Sequence, residues 1–408
     1  MNALPEAFYG LPQQVRFCRK CVISNQRPSS TVEFKSHLHE PKKVIHFDAD
    51  GVCSACRFHE EKEQGIDWKS RDDMLRRLLD RFKRDDGGYD VIVPGSGGKD
   101  SAYTAHVLKY RYGMNPLTVT WAPHLYTEIG FRNFQNWMHV GGLDNILYTP
   151  NGRLHRLMTR NAFHNLLHPF QPFIIGQRII GPAMAKRFGV KLVMYGENQA
   201  EYGNAIEENI NPLMNMDFFS LTNPQEMRFG AVALDDYLQQ GYSLGDFAPY
   251  IPPSRQGLID AGVEVHYLGY YLRWDPQECY YYAVENTGFE ANSLRTEGSF
   301  TKYSSIDDRI DPFHYYTTLI KFGIGRATYD AAQEVRNGKI TREEAVHLVN
   351  KYDLEFPAKY FKEFLHYIDT SEAEFHAIVD RFRSPHLWHK VDGEWVLRHR
   401  VSNADGAP

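Results

Sequence analysis

From Asp90 onward the chain repeats one pattern, a short apolar run followed by a stretch of helical spacing. The runs are "VIVPG", "PLTVTWA", "NILYTP" and "VKLVMYG". Strands alternating with helices build βαβ units, so an α/β fold with a parallel sheet is expected. "GQRIIGPAMAKRFG" reads as the crossover helix before the fourth strand, with Gly189 closing it. In such sheets ligands sit beyond the C-terminal strand ends, where "PGSGGKDS", "WAPH" and "GENQAEYGN" fall.

"PGSGGKDS" is not a Walker A loop, because Lys99 is followed by Asp100 rather than Ser or Thr. It still joins a strand end at Val93, a flexible turn through Gly95, Gly97 and Gly98, and a helix start near Asp100 or Ser101. Successive N–H groups in such a turn form an anion nest, and the helix N-terminus adds positive potential. Ser96 and Ser101 offer hydroxyl donors, Lys99 a charge for phosphate, and Asp100 a ligand for Mg²⁺. An ordinary βα turn would also use glycine and a Ser or Asp cap.

Before the alternation lie two cysteine pairs, Cys18/Cys21 and Cys53/Cys56, among turn signals such as "NQRPSS" and "DADG". Two C-x-x-C knuckles supply the four thiolates that Zn²⁺ takes in closed structural sites; the same sulfurs could hold an iron–sulfur cluster. "DWKSRDDMLRRLLDRFKRDD" has the spacing of a solvent-facing connecting helix. Residues 200–260 are irregular and read as an insertion or lid, and "VEVHYLGYYLRW" returns to strand composition. Past residue 300 the signal is helical, with Thr341/Glu344 and Ser371/Glu374 as capping boxes.

A formal charge of −5, from 46 Lys+Arg against 51 Asp+Glu, gives no footprint for long nucleic acids. No apolar stretch is long enough to cross a bilayer, and the opening residues lack the pattern of a secretory signal, so a cytoplasmic location is expected.

"SGGKDS" resembles the S-G-G-x-D-S signature of PP-loop ATP pyrophosphatases. Together with the Cys pairs, "HPFQPFIIGQ", "YGENQAEYGN", "KYSSIDDRID" and "KFGIGRATYDAAQEVRNGKITREEAV", it resembles the bacterial N-acetyl sugar amidotransferase family of surface-polysaccharide and lipopolysaccharide biosynthesis. The resemblance runs over roughly residues 15–385. It implies a four-cysteine zinc module over 1–66, a connecting helix over 67–89, a PP-loop domain over 90–295, and a mainly helical region over 296–408 that completes the active site.

The implied reaction turns an N-acetyl group on a sugar or sugar nucleotide into an acetamidino group. The amide oxygen attacks the α-phosphorus of ATP, giving an O-adenylyl imidate and pyrophosphate, and ammonia then expels AMP. Ser96, Gly97, Gly98, Lys99, Asp100 and Ser101 would hold the nucleotide, with Trp121 flanking adenine. Lys99, Asp100, Lys321 and Arg326 would act at the phosphates, Asp100 also holding Mg²⁺. Glu197, Asn198 and Lys302 are substrate candidates; Asp307 and Asp308 are weaker ones, and no histidine is assigned. Cys279 lacks the flanking glycines of a nucleophile elbow, so ammonia is expected from a separate glutaminase, in a pairing similar to the glutaminase and cyclase subunits of imidazole glycerol phosphate synthase.

Two other readings fit part of the pattern. A PP-loop tRNA thiolase would also join zinc-binding cysteines to such a loop, but it needs further cysteines and a basic RNA surface. A non-catalytic nucleotide-binding scaffold would keep the loop without turnover.

Overall fold

The computed structural model describes residues 5–38, 40–203 and 211–406. The four apolar runs form strands β1 (Val91–Pro94), β2 (Pro116–Trp121), β3 (Asp144–Tyr148) and β4 (Leu192–Tyr195). A fifth, β5 (Glu264–Tyr267), comes from "VEVHYLGYYLRW", whose next residues turn helical at Leu268–Tyr271. All five run parallel in the order β3-β2-β1-β4-β5. Every residue of β1 and β2 is buried, as expected of strands with helices on both faces.

The strand order explains where a ligand can sit. The chain builds outward from β1 to β3, then crosses back to set β4 against the other side of β1, with Val91 and Ile92 opposite Leu192 and Val193. That reversal opens a crevice beyond the C-terminal ends of β1 and β4. Four helices make the intervening connections: α3 (Lys99–Tyr110), α4 (Glu128–His139), α5 (Gly152–Leu166) and α6 (Gln171–Phe188). Gly189 ends α6 in a left-handed conformation, φ 64°.

Two earlier helices, α1 (Ser54–Gln64) and α2 (Trp68–Phe82), lead into the sheet. The apolar stripe of α2 is not left in solvent: Leu75, Leu78 and Leu79 are buried in the main core. The described part of the expected lid is an anchored insertion. Phe229, Tyr237, Phe247 and Tyr250 are fully buried, and Tyr250 bonds His155 of α5 at 2.6 Å.

Helix α7 (Pro276–Thr287) packs on α3, and the C-terminal region that follows is mainly helical: α8 (Asp311–Phe322), α9 (Arg326–Arg336), α10 (Arg342–Tyr352), α11 (Phe361–Tyr367) and α12 (Glu372–Arg381). Thr341 and Glu344 form a reciprocal capping box, and the Ser371 hydroxyl accepts from the Glu374 amide. An antiparallel hairpin, Trp388–Val391 with Glu394–Leu397, follows the helices and has no counterpart in the sequence reading. A second core joins the two ends of the chain, with Cys18, Cys21, Cys53 and Cys56 packed among Ile324, Ala331, Ala345 and Val349. Arg342 of α10 reinforces it by donating to the Cys21 carbonyl at 3.1 Å.

Candidate active site

The glycine loop leaves β1 at Pro94 and enters α3 at Lys99. Its tightness is enforced at two positions. A Cβ on Gly95 would lie 2.1 Å from the Ser101 Cβ, and Gly97, at φ +83°, sits so close to α4 that a Cβ would meet the Phe134 Cα at 2.9 Å. Gly98 caps α3 without any side-chain cap, so the first amides of the helix stay open to a ligand. The Ser101 hydroxyl donates to the Gly98 carbonyl at 3.1 Å, which ties the helix start to the loop.

Lys99 and Asp100 form an ion pair at 2.6 Å. Burial opposes the charge on Lys99, but the Asp100 carboxylate outweighs it and holds the ammonium above its usual range. The other Asp100 oxygen, Oδ1, is enclosed without a hydrogen-bond partner. Beyond β4, Glu197 accepts from the Tyr202 hydroxyl at 2.9 Å; burial first, and Asp100 next, push its carboxyl above the usual range. Asn198 is buried, and its side chain caps the following 3₁₀ turn by accepting from the Ala200 amide.

Opposite the loop stand α8 and α9. Asp311, His314, Tyr315 and Thr318 line the cavity from one face of α8, and Arg326, Tyr329, Asp330 and Gln333 from one face of α9. "KFGIGR" is the bend between the two helices. Gly325 has no room for a side chain, since a Cβ would lie 2.8 Å from the Asp353 carboxylate. That carboxylate accepts from the Gly325 and Thr328 amides and from the Thr328 hydroxyl, and so caps α9 from a distance. At the first position of α9, Arg326 pairs with Asp330 at 3.1 Å and lies 4.3 Å from the Tyr315 ring centre.

A further segment, residues 303–308, closes the space between loop and helices. The Thr127 amide at the start of α4 donates to the Asp307 carbonyl at 3.1 Å, and Gly130 has no room for a Cβ, which would fall 2.3 Å from the Asp307 Cα. Asp308 is a clamp: it accepts from the His124 amide and ring, each at 2.7 Å, and from the Leu125 and Ile310 amides. Burial raises the Asp307 carboxyl, with Asp308 adding to the effect. Burial also pushes Asp311 up to about 7, against the opposing pull of Arg326.

These elements enclose about 510 Å³. Ser96, Lys99, Asp100, Glu197, Arg326, Asp307 and Asp308 all line it, so residues far apart in sequence share one space. Four others stand elsewhere, the first being Asn198, buried as the cap of its turn. The Trp121 ring stacks on Tyr148 at 5.3 Å within the core, Lys302 is exposed, and Lys321 donates to the Leu166 carbonyl at 2.9 Å, away from the cavity lining. Tyr303, Asp311, His314, Tyr315 and Asp330 line the cavity without having been singled out. The signal for the α8 group was the i, i+3, i+4, i+7 spacing of polar and aromatic residues in "DPFHYYTT".

The four paired cysteines meet at one point. Their sulfurs all lie within 4.8 Å of one another, with Cys18–Cys56 and Cys21–Cys53 each at 3.8 Å. A tetrahedral ion with Zn–S bonds of about 2.3 Å sets its sulfurs roughly 3.8 Å apart, so the donor set and spacing fit a single zinc ion. A [4Fe–4S] cluster gives each thiolate its own iron and needs a wider spread of sulfurs.

Residues 297–402 match the family model of the LPS biosynthesis protein WbpG-like C-terminal domain. The chain carries a WbpG-like C-terminal domain. This domain holds Thr301 to Glu334, the half of the cavity that faces the glycine loop. A curated relative, the uncharacterised protein MJ1599 of Methanocaldococcus jannaschii, is 28% identical over 83 residues, 20% of this chain and 29% of that protein. The match thus spans less than a third of the relative's length. Among solved structures, NMN synthetase from Francisella tularensis aligns over 75% of this chain and 98% of its own at a TM-score of 0.31 and 12% identity. The U34-tRNA thiolase NcsA from Methanococcus maripaludis, with its [4Fe-4S] cluster, aligns over 88% and 95% at 0.28 and 12%. Likeness at this level carries nothing of their chemistry to this chain. No described helix is long and apolar enough to cross a membrane.

Proposed function

We propose that this chain is an ATP-dependent amidotransferase that converts an N-acetyl group of a sugar or sugar nucleotide into an acetamidino group, releasing AMP and pyrophosphate. The observation that carries the reading is the shared cavity: a loop built for phosphate on one side, and a WbpG-like domain on the other. The open amides of α3, with Ser96 and Lys99, receive the phosphates at the loop end. Arg326 faces them from α9, its guanidinium held in place by Asp330 and Tyr315. A magnesium ion fits at Asp100, whose Oδ1 has no other partner, and it would neutralise phosphate charge there. Glu197 stands at the end of β4 to orient the substrate amide.

An amide carbonyl is too weak an electrophile for ammonia to displace its oxygen. Activation by adenylylation turns that oxygen into part of a leaving group, AMP, and the residues contribute by positioning and by stabilising charge on the departing pyrophosphate. The nitrogen source is a separate glutaminase. Cys279 supports this, because it is 2% exposed and burial pushes its thiol well above the usual range, which leaves it unfit as a nucleophile. The cysteine cluster is a structural zinc site joining the N-terminal module to α9 and α10.

The test is pyrophosphate release with ATP, magnesium, ammonium and N-acetylated sugar nucleotides. Asp100→Ala and Lys99→Ala should each lose turnover about 100-fold or more while keeping the wild-type fold. Full activity in both variants would remove the loop from the mechanism.

A further inference from the structure

The nitrogen-transfer half of this reaction has a proton problem. Ammonia adding to the activated carbon leaves a positive –NH₃⁺ group beside a negative imidate nitrogen, and a proton must pass from one to the other before AMP departs. A group that accepts and returns a proton has to touch this adduct, so it must line the cavity and be uncommitted.

Most ionisable groups in the cavity are committed. Asp100 pairs with Lys99, Glu197 with Tyr202, Asp308 with His124, and Asp330 with Arg326, while Asp307 is hydrogen-bonded to Ser96 and Asp311 to Ser305. Among the described residues one imidazole lines the cavity, that of His314 on α8. Its ring stacks on His168 and on Phe170, each at 5.2 Å, and its Nδ1 is enclosed without a hydrogen-bond partner. No hydrogen bond at Nδ1 therefore fixes its tautomer. Burial, then His168 and Lys321, push its pKa well below the usual range; Glu33 opposes them and Arg326 adds to them, so the ring is neutral near pH 7.

We propose that His314 is a catalytic residue of nitrogen transfer, shuttling a proton from the attacking amine to the imidate nitrogen. The role rests on the amidotransferase reading above. The ammonia lone pair forms the new C–N bond while the C=N pair moves onto the imidate nitrogen. His314 takes one proton from –NH₃⁺ and delivers it to that nitrogen. The remaining amine lone pair then closes the amidine as the C–O bond breaks, AMP leaves with that bond's electrons, and the product departs as an amidinium cation. His314 ends as it began.

The two halves of the reaction can be read separately. Exchange of labelled pyrophosphate into ATP, driven by an N-acetyl sugar nucleotide without ammonium, reports adenylylation alone. Amidine formation with ammonium reports both. His314→Asn is expected to keep exchange within about twofold while amidine formation falls by roughly 10²–10⁴. In His314→Ala, added imidazole should restore amidine formation, which a purely structural role would not allow. An equal fall in both halves, unchanged amidine formation, or absence of imidazole rescue would overturn the assignment. Absence of exchange in the wild-type chain would overturn the amidotransferase reading itself, and this role with it.

Discussion

At the scale of single residues, Lys321 shows what sequence position does and does not disclose. "KFGIGR" places a lysine and an arginine five residues apart, yet only Arg326 reaches the cavity. Lys321 is buried against the Leu166 carbonyl, and burial, with Lys42 adding to it, lowers its pKa to about 7 from 10.5. Between those two values the unfolded chain binds more protons at this site than the folded one, so the site's contribution to stability rises with pH from about 7 to 10.5. Lys321→Met should remove this part of the pH dependence and raise stability at neutral pH, as measured by denaturant unfolding at pH 7 and pH 9.5. A wild-type slope retained in the variant would contradict the assignment. The local chemistry of "PGSGGKDS" was legible because strand, turn and helix start are neighbours in sequence. The positions of Trp121, Lys302 and Lys321 were not, because only long-range packing decides which side of an element faces the crevice.

At the scale of elements, the parallel sheet was readable from the buried apolar runs of β1, β2 and β4, since helices on both faces leave such strands no polar side. The insertion was less readable, because Phe229, Tyr237, Phe247 and Tyr250 are anchors spread through irregular backbone with no period to betray them. The α8–α9 bend lies between these extremes. Gly325 leaves no room for a side chain because Asp353 approaches it there and caps α9 from beyond α10. Asp353→Ala should cost about 1–3 kcal/mol in stability through the lost cap. It should also raise KM for ATP, because the cap sets the start of the helix that presents Arg326. Chemical denaturation and steady-state kinetics check the two effects, and a loss of stability with unchanged KM would separate the cap from the site.

At the scale of the whole molecule, the cysteine module and the C-terminal helices behave as one body through their shared core. α9 therefore packs against a cysteine cluster remote in sequence from the residues it presents. Elemental analysis should find one zinc per chain. Stripping it with a strong chelator should lower Tm and nucleotide turnover together, with turnover returning on zinc addition. Iron absorption in the purified chain, or full activity after zinc loss, would contradict a structural zinc. The cavity, likewise, belongs to no single stretch of chain: α3, α6, α8, α9 and the segments that follow β1 and β4 all contribute to it.

The most direct test of the account is product analysis. The chain would be incubated with ATP, magnesium, ammonium and a panel of nucleotide-linked N-acetyl sugars, and the sugars examined by mass spectrometry. One sugar should appear in which an acetamido oxygen is replaced by NH, formed in step with AMP and pyrophosphate. ATP cleaved to ADP, or AMP and pyrophosphate released with every sugar unchanged in the presence of ammonium, would contradict it.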